Sequence, residues 1–212
     1  MRSIFSPAGE GSRAPTHMIW LPGAYHSAQN FLEQGFAGAV AKRGTQLDLS
    51  FVDLQMRHLD DRDALARLRS ELVLPARDSG VSVWLGGISL GGMAALDYAS
   101  AHSGEIDGLC LLAPYLGNRM LIKEIAAGGG LGPWEAHELA QHDAEHRIWR
   151  YIKTRCASRP LFLGYGRSDR FAAAHDLLAA ALPPLWVKVV AGGHDWRAWI
   201  NLWEGFLDLH LI

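Results

Sequence analysis

The stretch VSVWLGGISLGGMAA, from Val81 to Ala95, passes from an apolar run ending at Leu85 to a helical pattern beginning at Ser89 with almost nothing between. A strand that turns into a helix in so few residues forces two backbones together, and Gly87 and Gly91 leave room for it. The same unit recurs more loosely along the chain. Short apolar runs at His17–Leu21, Leu47–Leu54, Val81–Leu85, Gly108–Ala113, Pro160–Tyr165 and Leu185–Ala191 alternate with longer amphipathic stretches. Most of these runs are continuously apolar, as strands covered on both faces are. The expectation is an α/β fold, a three-layer α/β/α sandwich around a mostly parallel sheet of about six strands. Helices are predicted at Ser27–Arg43, Asp60–Arg77, Ser89–His102, Arg170–Leu182 and His194–Leu209.

At 212 residues the chain suits one domain, which should bury roughly 70% of its unfolded surface and needs no staples. The first fifteen residues read as a flexible segment, and residues 16–212 as a single domain. A formal charge of -2 with acids and bases mixed argues against a nucleic-acid partner. Two cysteines, Cys110 and Cys156, give no disulfide framework and fit a reducing compartment. With no signal-like or membrane-spanning run, a cytoplasmic protein is expected. One segment breaks the rhythm: about forty residues, 116–155, separate two strands, and a lid of two short helices is the expected use of so long a crossover.

Gly87, Ser89 and Gly91 form Gly-x-Ser-x-Gly at the strand-to-helix turn, which would lift Ser89 from the sheet's carboxyl edge as a nucleophile. A serine hydroxyl needs a base, and the base an orienting acid. His194 follows the last strand directly after Gly192-Gly193, and Asp169 follows the preceding strand 25 residues earlier. The bland readings are that His194 and Asp169 cap helices. Asp195, adjacent to His194, is badly placed to orient it.

The order Ser89, Asp169, His194, with the segments LGGISLGGMAAL, LGYGRSD and GGHDWRAW, resembles the α/β-hydrolase superfamily from about Thr16 to Phe206. The segment GGHDWRAW is similar to that of the esterase D branch. The resemblance implies an ester hydrolase that passes through an acyl-enzyme, with no metal or organic cofactor. The chain departs from the pattern by starting late, with one strand before the Leu47 strand. An oxyanion hole would take its first donor from the backbone N–H of Leu90. The family's His-Gly-x loop corresponds to Leu21–His26 with Pro22 in the histidine's place, and by that match Ala24 carries the second donor, ahead of Tyr25. Tyr25 and His26 either line the substrate pocket or cap the helix near Ser27. Tyr115, just beyond a strand's carboxyl end, is a further substrate-binding candidate. Trp134, Trp149 and Tyr151 in the insertion either bind substrate or only pack.

His142-Asp143-Ala144-Glu145-His146 fits H-x-x-E-H, a zinc-peptidase pattern, although a solvated helix face explains it as well. The leading expectation is a serine esterase for small to medium carboxylic esters. Thioester hydrolysis or acyl transfer by the same residues, and a non-catalytic ligand-binding protein on the same fold, are the alternatives.

Overall fold

Among the described residues, seven strands form one sheet in the order β1-β3-β2-β4-β5-β6-β7: β1 (Ser3–Ser6), β2 (Thr16–Leu21), β3 (Leu47–Val52), β4 (Ser82–Ile88), β5 (Gly108–Leu112), β6 (Leu161–Gly166) and β7 (Val187–Val190). The computed structural model describes residues 1–9, 13–54, 62–135, 143–155 and 158–212. All neighbouring pairs are parallel except β1 with β3, where Ser3 faces Val52 and Ser6 faces Leu49. Every residue of β2, β3, β5 and β6 is buried, and β5 and β6 accordingly run apolar, whereas β2 and β3 also bury the polar Thr16, His17, Asp48 and Ser50.

The edge strand β1 adds a seventh strand to the about six expected, and it lies within the residues 1–15 that sequence reads as a flexible segment. Its four residues alternate between exposed and half-buried, a period too short to stand out in a polar stretch. Two strands, not one, therefore precede β3. Behind β1, the buried Asp48 carboxylate accepts the N–H groups of Ala8 and Ala14 at 2.9 and 3.1 Å, tying both ends of the connection to the sheet.

The predicted helix at Ser27–Arg43 is two, α1 (Ala28–Glu33) and α2 (Phe36–Arg43), parted where Gly35 takes φ 84°. The one at Asp60–Arg77 is α3 (Arg62–Leu68), a π-type turn at Arg69–Val73 and α4 (Leu74–Asp78). Pro75 has no N–H for the carbonyl one turn back, and the widened turn absorbs that loss. Then follow α5 (Leu90–His102), α6 (Arg119–Ala127), α7 (Ala144–Arg155), α8 (Ala172–Ala179) and α9 (Trp196–Leu207). No described helix is long and apolar enough to cross a membrane.

One face of the sheet is sealed by α1, α2 and α9 through an aromatic cluster. The Trp20 ring lies 5.7, 5.0 and 5.1 Å from those of Phe31, Phe36 and Trp203. Register explains two strand glycines: Trp20 stands opposite Gly86 and Trp84 opposite Gly108. A Cβ on either glycine would come within 2.5 Å of its partner's indole. On the other face α5 packs on β4, β2 and β5, and α7 packs on α5. The chain leaves β2 for β3 on one side while β4 lies on the other, so the connections after β2 and β4 diverge. That divergence opens a crevice at the strands' carboxyl ends.

Candidate active site

Ser89 sits at the mouth of this crevice with φ 52° and ψ -114°, a conformation that costs a non-glycine residue on the order of 1–3 kcal/mol. Backbone hydrogen bonds hold it there. Its N–H donates to Leu112 O at 3.1 Å, and its carbonyl accepts the N–H groups of Tyr115 at 2.8 Å and Gly92 at 3.0 Å. The flanking glycines permit the approach: a Cβ on Gly91 would lie 2.1 Å from Leu21 O, and one on Gly87 2.4 Å from Gly91 O. The β4–α5 turn is thereby locked against the ends of β2 and β5.

His194 reaches the same point from the loop after β7. Its Nε2 lies 2.9 Å from Ser89 Oγ, and its Nδ1 lies 2.8 Å from Asp169 Oδ2. Asp195, not His194, caps α9, accepting from Ala198 N at 3.0 Å. The imidazole is thus left to turn back over the sheet. Its ring is held edge-on between Phe171 and Trp199, each with a centroid 5.2 Å away. Asp169 is buried, and its second oxygen accepts the N–H of Phe171 at 2.8 Å, which fixes the segment before α8, whereas Phe171 itself is the helix's N-cap residue. Burial pushes its pKa up, but the hydrogen bonds from His194 and Phe171 and the charges of His194 and His175 outweigh that and hold it below the usual range. An ionised Asp169 fixes the His194 proton on Nδ1 and leaves Nε2 as acceptor for the Ser89 hydroxyl proton.

The loop after β2 abuts the serine: a Cβ on Gly23 would lie 3.4 Å from Ser89 Cβ and 3.1 Å from His26 Nδ1. Leu90 begins α5 immediately after Ser89, and Ala24 lies exposed in the facing loop. Tyr25 has φ 65° and its side chain is in solvent, at 105% exposure. His26 instead turns inward, its ring 4.9 Å from Trp196 and 5.7 Å from Trp199. Burial first, and the nearby His194 second, lower its pKa, so it is the neutral form that stands beside the base.

Within the insertion, the buried Trp149 donates to Leu116 O at 2.6 Å and the buried Trp134 donates to Glu124 at 2.7 Å. Tyr151 is buried as well. These three pack the core. In the H-x-x-E-H segment, His142 lies outside the described residues. Glu145 is spent on Tyr115 Oη at 2.9 Å and on Asn118 N and Nδ2 at 3.0 and 2.6 Å, while His146 Nδ1 meets Asp143 at 2.7 Å. Among the described residues no cluster of three His, Cys, Asp or Glu is arranged to hold a metal.

A cavity of about 490 Å³ opens between α6 and α8, lined by Tyr115, Arg119, Ile122, Lys123, Arg170 and Phe171 among others. Ser89 and His194 are not in its wall, but Tyr115 bonds Ser89 O through its N–H and the Phe171 ring lies against His194. Of the lining residues, sequence pointed only to Tyr115. Phe171 was within reach, since it lies two residues past Asp169, but nothing in the pattern set it apart from an ordinary helix start.

No family model matches the chain, and no curated protein is similar to it. Solved structures are similar in fold. Est1E from Butyrivibrio proteoclasticus superposes with a TM-score of 0.65 at 14% identity, covering 98% of this chain and 93% of that one. An alpha-beta serine hydrolase homologue from Coxiella burnetii gives 0.63 at 16% identity, over 99% and 91%. A ferulic acid esterase gives 0.63 at 12% identity, over 98% and 97%. With the strand order and the strand-to-helix turn at Ser89, these likenesses establish that the chain has the α/β-hydrolase fold.

Proposed function

We propose that the protein is a serine hydrolase that cleaves carboxylic esters of small to medium size through an acyl-enzyme. The observation that carries the reading is the continuous chain from Ser89 Oγ to His194 Nε2, 2.9 Å, and from His194 Nδ1 to Asp169 Oδ2, 2.8 Å. In this proposal Ser89 Oγ attacks the ester carbonyl as Nε2 takes its proton, and the resulting imidazolium is stabilised by Asp169. The same proton then goes to the leaving alkoxide. Water, deprotonated by the neutral His194, releases the acid in the second half. The N–H groups of Leu90 and Ala24 are assigned to the oxyanion, each worth about 3–4 kcal/mol of transition-state stabilisation. Tyr115 is assigned to the substrate pocket, and α6 is the part of the insertion we assign as its cover. The ferulic acid esterase among the similar folds supports the reaction class. A cytoplasmic setting belongs to the same proposal, in keeping with a free, buried Cys110.

The test is intact-mass spectrometry after incubation with a fluorophosphonate, with Ser89→Ala alongside. One adduct mapping to Ser89 and absent from the variant is the expected result. Turnover of 4-nitrophenyl butyrate should fall by a factor on the order of 10⁴ or more in Ser89→Ala. Undiminished turnover in the folded variant would refute the proposal.

A further inference from the structure

We infer that the cavity between α6 and α8 is a subsite for an anionic group, a carboxylate or phosphate carried by the ester substrate at a distance from its scissile bond. The inference rests on the hydrolase proposal and adds to it the class of substrate. Three cationic side chains converge on the cavity: Arg119 and Lys123 from α6, and Arg170 from the segment entering α8. None of the three has a carboxylate partner among the described residues, and no residue lining the cavity is acidic. Two acids adjoin the lining residues without lining the cavity: Glu145 has its oxygens engaged by Tyr115 and Asn118, and the buried Asp169 by His194 and Phe171.

All three side chains are exposed, so water moderates their mutual repulsion. Arg119 and Lys123 are four apart on one helix face, where like charges repel, and Arg170 is brought up opposite them. Arg170 is held at the rim by the Phe171 ring, 4.9 Å beneath its guanidinium carbon. The fold sets these exposed cations around a concavity of about 490 Å³, within the range of small-ligand sites.

Its position ties it to the chemistry. Tyr115, in the wall, donates its backbone N–H to Ser89 O at 2.8 Å. The Tyr115 ring lies 5.5 Å from Phe171, whose ring lies 5.2 Å from His194. These two aromatics form the threshold between serine and cavity. A chain leaving the acylated serine crosses that threshold over apolar rings and ends among the cations.

The experiment compares matched esters. On the acyl side, 4-nitrophenyl hemisuccinate, hemiglutarate and hemiadipate are set against their methyl-capped forms. On the alcohol side, butyryl glycerol phosphate is set against glycerol monobutyrate. At least one anionic member should exceed its neutral partner in kcat/KM by about tenfold or more, the scale of a charge-assisted hydrogen bond. Preference for the acyl carboxylate or for the alcohol phosphate identifies the source of the anion. That ratio should collapse towards one in the double variant Arg119→Gln/Lys123→Gln and on raising NaCl from about 0.05 to about 0.5 M. It should stay as in the wild type in Lys42→Gln, which removes one charge from α2.

Equal kcat/KM within every pair, or an equal loss for both members in the double variant, overturns the inference while labelling at Ser89 keeps the hydrolase reading intact. If folded protein neither labels nor turns over any ester, the hydrolase reading fails, and calorimetric titration with glutarate and with glycerol phosphate decides the cavity alone. Binding that weakens in the double variant upholds the anion site, and no binding of either overturns it.

Discussion

Asp169 meets His194 through one carboxylate oxygen at 2.8 Å and holds the N–H of Phe171 with the other at 2.8 Å, so the group that orients the imidazole is itself fixed by the chain following it. A carboxylate accepts at both oxygens, whereas an amide has one acceptor and one donor. Asp169→Asn therefore keeps the shape but loses either the Phe171 bond or the control of the His194 tautomer. On the proposed mechanism kcat for 4-nitrophenyl butyrate should fall by a factor on the order of 10⁴ with the melting temperature little changed. A loss below tenfold would remove Asp169 from its assigned role.

Gly91 makes a second prediction. A Cβ there would lie 2.1 Å from Leu21 O, a backbone atom that cannot swing aside. Gly91→Ala must therefore separate α5 from the end of β2, at about 3 kcal/mol in urea unfolding. The control is Gly104→Ala, where nothing lies within 4 Å. That change should be neutral or stabilising by up to about 1 kcal/mol. Equal midpoints for the two variants would contradict the packing described.

Ser89, Asp169 and His194 were legible because each follows directly on a strand of the parallel sheet, and a short strand-to-loop step fixes where a side chain emerges. Interactions made between distant segments left less trace. β1 is stabilised by pairing with β3 rather than by its own four residues. The break between α1 and α2 rests on a single glycine that could equally have been carried inside a helix. The net charge of -2 is a sum over the chain, and it conceals that Arg119, Lys123 and Arg170 meet only when α6 folds against α8. Tyr25 and His26 read alike in sequence, and the turn at φ 65° sends one to solvent and the other inward.

His17 gives the protein a pH dependence remote from Ser89. Its ring is buried, with Nε2 2.8 Å from Ser50 Oγ, and burial, then the charge of Arg13, bring its pKa down to about 4 against an opposing effect of Asp48. The unfolded chain binds a proton near pH 6.5, which the native state refuses until about 4. The associated stability is present above 6.5 and is lost as pH falls through that window, on the order of 3 kcal/mol in all. His175 and His26 act in the same direction, so the contribution of His17 is read by difference. His17→Gln should show a shallower fall in urea midpoint between pH 7 and pH 4 than the wild type; parallel curves would refute the assignment.

The second half of the insertion is fastened to the domain body by an ion pair. Arg147 on α7 meets Asp97 on α5 through Nε and an Nη, each at 3.0 Å, with Asp97 buried. Removing the carboxylate takes away the buried partner that holds the two guanidinium nitrogens, which costs more than the pair's net worth. Asp97→Ala should therefore lose about 3 kcal/mol of stability. If α7 belongs to the body and only α6 covers the cavity, that loss should appear as one cooperative transition. Limited proteolysis under native conditions should then cut no faster within 144–155 than the global unfolding rate allows. Rapid cleavage there in the variant, with the remainder still folded, would instead mark the whole insertion as a unit that opens on its own.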